Sequence, residues 1–141
     1  MGGLALAAEP VRSKAWALSH AFERVGGLLT GDDLALLLRP SIDQPISRVA
    51  QWIARRQVVN FAWHTQFLLP VFQFEAVSLQ PRPRVAEVIG ELKNVYDDWE
   101  LAAWFAAPNA WLDDDAPAKV ITTNPVAVLR AARADRFVAR G

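Results

Sequence analysis

The sequence predicts a mainly α-helical protein with one small β-hairpin, organised as two helical lobes. Apolar residues recur at helical spacing in several segments, and each segment is bounded by a capping residue, a glycine or a proline. Residues 58–74 are instead rich in β-branched and aromatic side chains, which favour strands. Pro81 and Pro83 favour an extended segment, so we place the boundary between the lobes near residue 80.

Composition fits one compact chain and narrows the classes of function. Of the 141 residues 52% are hydrophobic, and six Trp and seven Phe can contribute much of a core or an interface. The formal net charge is zero, so no overall field attracts nucleic acid or an anionic membrane, and DNA binding would require a local patch. The absence of cysteine excludes disulfides, thiolate zinc sites and a cysteine nucleophile, and it fits a cytoplasmic location.

Residues 1–12 are predicted to form a flexible tail. The first eight residues are small and apolar, but they lack the positive charge and the length of a signal peptide. No apolar run approaches the roughly 20 residues that a membrane-spanning helix requires. We therefore expect a cytoplasmic protein that has no membrane partner.

The first lobe covers residues 13–79, and three helices are predicted in it. The first helix runs to about Val25 and ends at a pair of glycines. Thr30 is placed to cap the second helix, which Pro40 ends. Pro45 begins the third helix, because its missing N–H would be unpaired in a first turn anyway. The side chains expected to face the core are Leu34, Leu37 and Leu38 in the second helix and Ile46, Val49, Ala50 and Ile53 in the third.

Two short helices joined by a tight turn are typical of a helix-turn-helix, whose second helix enters the major groove of DNA. The residues of the third helix that face away from the expected core, and that can reach phosphates or base edges, are Ser47, Arg48, Gln51 and Arg55. Between residues 39 and 56 there are four arginines and one aspartate, and Trp52 would lie beside the polar face. A solvated face of a structural helix, or a helix-turn-helix retained only for dimerisation, explains the same pattern.

A β-hairpin is predicted directly after this helix, with strands at residues 58–63 and 67–72. Pro70 is expected on an edge strand, because proline has no N–H to donate to a neighbouring strand. Such a hairpin would form a wing beside the candidate recognition helix.

The second lobe covers residues 80–141 and is predicted to contain only helices. The apolar stripe of its first helix consists of Val85, Val88, Ile89 and Leu92. Asp97 and Glu100 have the spacing of a capping box at the start of a helix that Pro108 ends. Two further helices open with a polar side chain followed by proline, at Asp115 with Pro117 and at Asn124 with Pro125.

The most specific pattern in the chain lies in this lobe. Its residues are Trp104, Phe105, Pro108, Asn109, Leu112, Pro117 and Val120. Their order resembles the toxin-binding domain of antitoxins of the Xre/MbcA/ParS type, which reads roughly W-[LF]-x-x-P-N-x-x-L-x-x-x-x-P-x-x-[LV]. Residues 70–74, Pro-Val-Phe-Gln-Phe, match a string that often precedes this domain, so the resemblance extends from Gly26 to the C-terminus.

One departure from the family pattern follows Leu112, where a glycine is frequent and this chain has aspartates at positions 113–115. The backbone conformation of this turn is therefore left open. Adjacent aspartates do not converge on one metal ion as alternating loop ligands do, so a solvated turn is expected.

The resemblance implies a binding protein without enzymatic activity, cofactor or metal, whose partner is a cognate toxin, often of the RES type, that acts on NAD. The residues implied to bind the toxin are Trp104, Phe105, Pro108, Asn109, Trp111, Leu112, Pro117, Arg133, Arg136 and Arg140. In similar antitoxins the C-terminal part covers the mouth of the toxin's active site, where a basic stripe could replace an anionic substrate. An ordinary core for the aromatic residues, and a solvated face favoured by the helix dipole for the arginines, are the alternatives.

Three functions therefore remain open: neutralisation of a toxin, regulation of transcription by operator binding, and a dimeric interaction module without a toxin partner. An antitoxin that also regulates its own operon combines the first two. A homodimer is expected, because operators read by a helix-turn-helix are usually two-fold. Catalysis is not supported, since neither His20 nor His64 has an acid or a serine in a recognisable relation to it.

Overall fold

The computed structural model describes residues 13–140, so the tail predicted at residues 1–12 lies outside the described part of the chain. The α-helices in this range are α1 (residues 13–22), α2 (Gly31–Leu38), α3 (Pro45–Ala54), α4 (Pro83–Leu92), α5 (Asp98–Ala106), α6 (Pro117–Val120) and α7 (Pro125–Arg140). The strands are β1 (Leu28–Thr30), β2 (Phe61–Trp63) and β3 (Gln66–Pro70). The predicted fold class, mainly α with a small hairpin, is confirmed. No helix between residues 13 and 140 has the length and apolar character needed to cross a bilayer.

Local capping signals place the helix ends. The hydroxyl of Thr30 accepts a hydrogen bond from the Asp33 N–H at 3.0 Å, which satisfies one free donor in the first turn of α2. At α5, Asp97 and Glu100 form the predicted capping box, in which each side chain accepts from the backbone N–H of the other residue. A short 3-10 turn follows α1 and ends at Gly26, whose φ of 103° is a left-handed conformation that favours glycine.

The three strands form one antiparallel sheet in the order β1-β3-β2. The hairpin of β2 and β3 was predicted, whereas β1 was not. The prediction that Pro70 lies on an edge strand is wrong, because β3 is the central strand. Proline is tolerated there because β2 pairs with β3 only as far as Leu68, so Pro70 has a neighbouring strand, β1, on one side alone. The N–H of the next residue, Val71, donates to the Gly27 carbonyl at 2.9 Å.

The sheet separates two apolar clusters. Leu29 and Leu69 face each other across β1 and β3 and belong to the smaller cluster, which includes the core faces of α2 and α3. Leu28, Leu68 and Phe61 point to the opposite side and belong to the larger cluster. This alternation follows the two-residue period of a strand. The sheet is therefore covered by side chains on both faces.

The larger cluster draws on both halves of the chain. Its fully buried members include Phe22 from α1, Phe61 from β2, Ile89 from α4, Phe105 from α5 and Val128 from α7. The predicted apolar stripe of α4 is buried throughout. Because α1 and the sheet pack into the same core as the C-terminal helices, removing either half would expose apolar side chains of the other.

The inward faces of α2 and α3 differ from the prediction. Three residues expected inside are exposed, namely Leu37, Ile46 and Ala50. Trp52, expected beside the polar face, is buried, and its ring packs against Phe74 with the ring centres 6.1 Å apart. An indole has more apolar surface to bury than an isoleucine or an alanine, so the core face of α3 is centred on Val49 and Trp52.

The Pro-Val-Phe-Gln-Phe string lies between the two clusters. Phe72 packs into the larger cluster and Phe74 into the smaller one. The fully buried side chain of Gln73 accepts the Val59 N–H at 2.6 Å and donates to the carbonyls of Val59 at 2.8 Å and of Pro70 at 3.0 Å. These bonds satisfy backbone groups that are shielded from water.

Replacement of Gln73 by leucine keeps a side chain of similar size but removes all three hydrogen bonds. We expect Gln73→Leu to lower the free energy of unfolding by about 2–4 kcal/mol, because it leaves buried polar groups unpaired. Urea denaturation measures this change. Gln57→Leu, at an exposed position, is the control and is expected to change the free energy by less than about 0.5 kcal/mol. Equal losses in the two variants would contradict the structural role of Gln73.

Candidate functional site

The segment after α5 turns sharply at Pro108 and Asn109. Ala107 is extended, with φ −85° and ψ 151°, as expected of a residue before proline. The buried side chain of Asn109 accepts the Trp111 N–H at 2.9 Å and so caps the 3-10 turn that follows. This turn buries Leu112 and leaves Trp111 61% exposed.

The carboxylate of Asp135, on α7, accepts three side-chain hydrogen bonds. Its Oδ2 accepts the indole N–H of Trp104 at 2.7 Å and the amide N–H of Asn109 at 3.1 Å. Its Oδ1 accepts the indole N–H of Trp111 at 3.0 Å. We call these four residues the Asp135 cluster. Hydrogen bonds to an ionised acceptor are stronger than neutral ones, so the cluster ties α5, the Pro-Asn turn and α7 together.

Tyr96 lies within the field of the same carboxylate. Burial, and then the negative charges of Asp135 and Glu100, raise the pKa of its phenol above the ordinary value of 10.0. The phenol is therefore neutral at physiological pH and adds no charge to the Asp135 cluster.

The structure places the implied toxin-binding residues of this segment in two environments. Four of them are buried, namely Phe105, Asn109, Leu112 and Pro117. Phe105 packs edge-on against the half-buried Trp104, with the ring centres 5.1 Å apart. Pro108 and Trp111 are exposed. The buried residues therefore shape the segment, and the exposed ones are accessible to a partner.

The basic stripe of α7 is engaged within the protein at two of its three positions. Arg133 and Arg136 both pair with the carboxylate of Glu91 on α4, the former at 3.1 Å. Arg140 is exposed and forms no ion pair with another residue of the range 13–140. These arginines therefore hold α7 against α4, and Arg140 alone of the three keeps its charge unpaired within that range.

Exposed apolar side chains lie at the C-terminal end of α7. Phe137 is 81% exposed and Val138 is 69% exposed. Val138 follows Asp135 by about one helical turn, so it lies on the flank of α7 that carries the Trp111 contact. Phe137, two residues after Asp135, and Arg140, five residues after it, project from the other side of the helix. We call Trp111 and Val138 the terminal surface. Its chemistry, aromatic and aliphatic, is typical of protein interfaces.

The four residues expected to contact DNA are all exposed: Ser47, Arg48 and Gln51 lie on α3, and Arg55 directly follows it. Arg56 is used differently, although it counts towards the positive charge of this segment. Its guanidinium donates to the Asp98 carboxylate at 3.1 Å and to the carbonyls of Lys93 at 2.6 Å and Tyr96 at 2.9 Å. Arg56 therefore joins the end of α3 to the connection between α4 and α5.

A second flank of α3 lines an apolar groove of about 480 Å³. The exposed side chain of Ile46 lies along it with Ala50 and Ile53, and the lining also includes Phe67 of β3 and Asp32 of α2. The helix thus presents two surfaces of different chemistry, one polar and basic, the other apolar.

The two histidines belong to neither surface of α3, and each makes an aromatic contact. His20 is exposed and stacks on Trp16, and the exposed His64 contacts Trp63. Across residues 13–140, no group of three or more His, Cys, Asp or Glu side chains is arranged to hold a metal ion.

Asp135 and Glu91 are the site residues that the sequence interpretation missed. Asp135 is the one acid in residues 125–140, a helix that carries four arginines. A single carboxylate in such a basic helix is a signal that could have indicated a partner elsewhere in the fold. Glu91 gives no comparable signal, because acids are common on the outer face of an amphipathic helix.

Comparison of the chain with protein-family models, with curated proteins and with solved structures gave no match. The function of the site is therefore inferred from its residues and their contacts.

Asp135→Ala removes the common acceptor of three donors. The indole of Trp104 and the amide of Asn109 are at least half-buried, so we expect the free energy of unfolding to fall by about 2–4 kcal/mol. Urea denaturation followed by circular dichroism measures the change. Asp43→Ala, which removes an exposed acid, is the control and is expected to leave stability within about 0.5 kcal/mol. An Asp135 variant as stable as the wild type would show that the cluster does not stabilise the fold.

Proposed function

We propose that this chain is an antitoxin-like protein that binds and neutralises a cognate toxin of the RES type, which consumes NAD. The observation that supports this proposal above all is the Asp135 cluster, which holds a largely exposed tryptophan ring at a defined position. Tryptophan and arginine are enriched among the residues that dominate binding energy in protein interfaces. A side chain that is already ordered also loses less entropy when it binds.

The chemistry of the cluster favours binding over catalysis. Both oxygens of Asp135 accept hydrogen bonds within the protein, so this carboxylate is poorly placed to act as a general base. Val138, one helical turn after Asp135, is exposed and apolar. A surface of this kind gains free energy by being covered, which is what a partner protein provides.

The residues that resemble the antitoxin pattern divide into two roles in this proposal. Phe105, Leu112 and Pro117 are buried and form the scaffold, and Asn109 and Trp104 orient Asp135. Trp111 occupies a variable position of the pattern and is displayed outward. The scaffold would thus be common to such proteins, and the displayed residue would contribute to the choice of toxin.

The test is co-expression with the product of the gene beside that of this protein, assayed for consumption of NAD. We expect a stable complex on size-exclusion chromatography and recovery of cellular NAD. Trp111→Ala is expected to weaken the complex by about 100-fold, as for a central interface tryptophan, measured by calorimetry.

Trp16→Ala is the matched control, because Trp16 is 69% exposed but lies on α1. It is expected to bind the toxin as the wild type does. Failure of the wild-type chain to bind the toxin, or equal losses in the two tryptophan variants, would contradict the proposed surface.

Binding to operator DNA is a second proposed function, and the arrangement of the N-terminal elements favours it. In the order α1-β1-α2-α3-β2-β3, two short helices are followed directly by the hairpin, and β3 joins the hairpin to β1. In this proposal α3 is the recognition helix, the hairpin is the wing, and a homodimer presents two copies of α3 to a two-fold operator. Toxin binding and autoregulation would both take place in the cytoplasm.

Replacement of Arg48 and Arg55 together by alanine tests the DNA hypothesis. Each lost phosphate contact is expected to reduce the slope of log affinity against log salt concentration by about one, so the double variant should lose about two. Fluorescence anisotropy with labelled DNA from upstream of the gene, repeated at several salt concentrations, measures both the affinity and this slope. Arg130→Ala, an exposed arginine on α7, is the control. An unchanged slope in the double variant would contradict the hypothesis that α3 contacts DNA.

A further inference from the structure

Trp111 combines two properties that rarely occur together. Its side chain is largely exposed, yet its indole N–H donates to Oδ1 of Asp135 at 3.0 Å instead of to water. Trp16 is exposed to a similar extent, at 69% against 61%, and makes no side-chain hydrogen bond with the described residues. The position of the Trp111 ring is therefore fixed by the protein itself.

Two of the hydrogen bonds to Asp135 orient its carboxylate, and the third orients Trp111. Trp104 and Asn109, which belong to the buried or half-buried framework, both donate to Oδ2 of Asp135 and so set the plane of its carboxylate. The second oxygen then orients the indole of Trp111. Asn109 also accepts the backbone N–H of Trp111, so both the main chain and the ring of this residue are held.

We propose that Asp135 is the positioning residue that fixes Trp111 as a docking anchor, and that the anchor enters an apolar pocket of the partner protein. This inference rests on the function proposed above and adds the chemistry of the contact. Because the indole N–H is bound within the chain, the ring offers a partner only its faces and its C–H edge. A hydrogen-bond acceptor in the receiving pocket would remain unpaired and would weaken binding.

The negative charge beside the ring further restricts the class of partner that can bind there. The Asp135 carboxylate lies at the edge of the indole, and Val138 follows it by about one helical turn. Phosphates would be repelled at this position, so stacking on nucleic acid is disfavoured. An apolar protein pocket without an acidic rim fits both the ring and its neighbours.

A double-mutant cycle tests whether Asp135 acts through Trp111. The four proteins are the wild type, Asp135→Asn, Trp111→Phe and the double variant, each titrated into the toxin by calorimetry. We expect Asp135→Asn to weaken binding about 10-fold in the wild-type background, as for the loss of one preordered side chain, and less than about 2-fold in the Trp111→Phe background. A purely structural role would give the same loss in both backgrounds, and that result would overturn the proposal.

The chemistry of the receiving pocket is tested by comparing two replacements of the anchor. Phenylalanine retains an aromatic ring without an N–H, so Trp111→Phe is expected to bind at least 10-fold more tightly than Trp111→Ala. Equal affinities of these two variants would show that the aromatic ring itself contributes nothing to binding, contrary to the proposal.

A measurement without the toxin separates this inference from the proposed function. In ¹H–¹⁵N spectra the indole N–H of Trp111, assigned by its loss in Trp111→Phe, is expected to exchange with water at least 10-fold more slowly than that of Trp16. Asp135→Asn should remove this protection, whereas Asp114→Asn, the same change at an exposed neighbouring position, should retain it.

Equal exchange of the two indoles in the wild type would overturn the positioning role whatever the toxin does. Slow exchange of Trp111 together with no toxin binding by the wild type would instead overturn the proposed function and the docking role, and would leave only the structural bond.

Discussion

Three side-chain donors from residues 104–111 converge on the carboxylate of Asp135 in α7, and the shape of the C-terminal surface depends on this convergence. Proline can end α5, and asparagine can cap the following turn, by local interactions alone. Local interactions do not determine where that turn lies relative to α7. The charge-assisted bonds to Asp135 supply this long-range constraint, and the pairing of Glu91 with two arginines supplies a second one on another side of α7.

The N-terminal half supports the C-terminal surface at α7, and its own helix α3 carries the proposed DNA contacts. The sheet is packed on both faces, and the residues Phe72, Gln73 and Phe74 join its two apolar clusters through alternate side chains and a buried amide. Arg56 adds a polar connection from α3 to the start of α5. A partner bound at α7 and DNA bound at α3 would therefore contact one continuous structure. A shared core of this kind is the physical basis on which two binding events could be coupled.

The elements that the sequence predicts well are those determined by neighbouring residues. The caps at Thr30 and Asp97 and the apolar stripe of α4 follow from spacings of three or four positions. The three residues of β1 form a strand because β3 lies beside them, and no local pattern marks that pairing. The rotation of α3 depends on the space available to Trp52 in the tertiary core, which hydrophobic periodicity does not describe. Asp135 was missed for the same reason, since its donors lie 24 to 31 residues away.

Most fixed positions of the pattern W-[LF]-x-x-P-N-x-x-L are buried, whereas the exposed Trp111 lies at a variable position. The pattern therefore predicts the local fold better than it predicts the identity of a partner. The fixed positions Phe105 and Leu112 fill the core, and Asn109 is consumed by internal hydrogen bonds. Side chains used in this way are constrained by the fold itself, so they carry little information about what the fold binds. The exposed ring, which we propose to meet the partner, lies at Trp111, a position that the pattern leaves variable. Specificity for a toxin would therefore be determined at positions such as this one, while Asp135 and its donors keep the geometry constant.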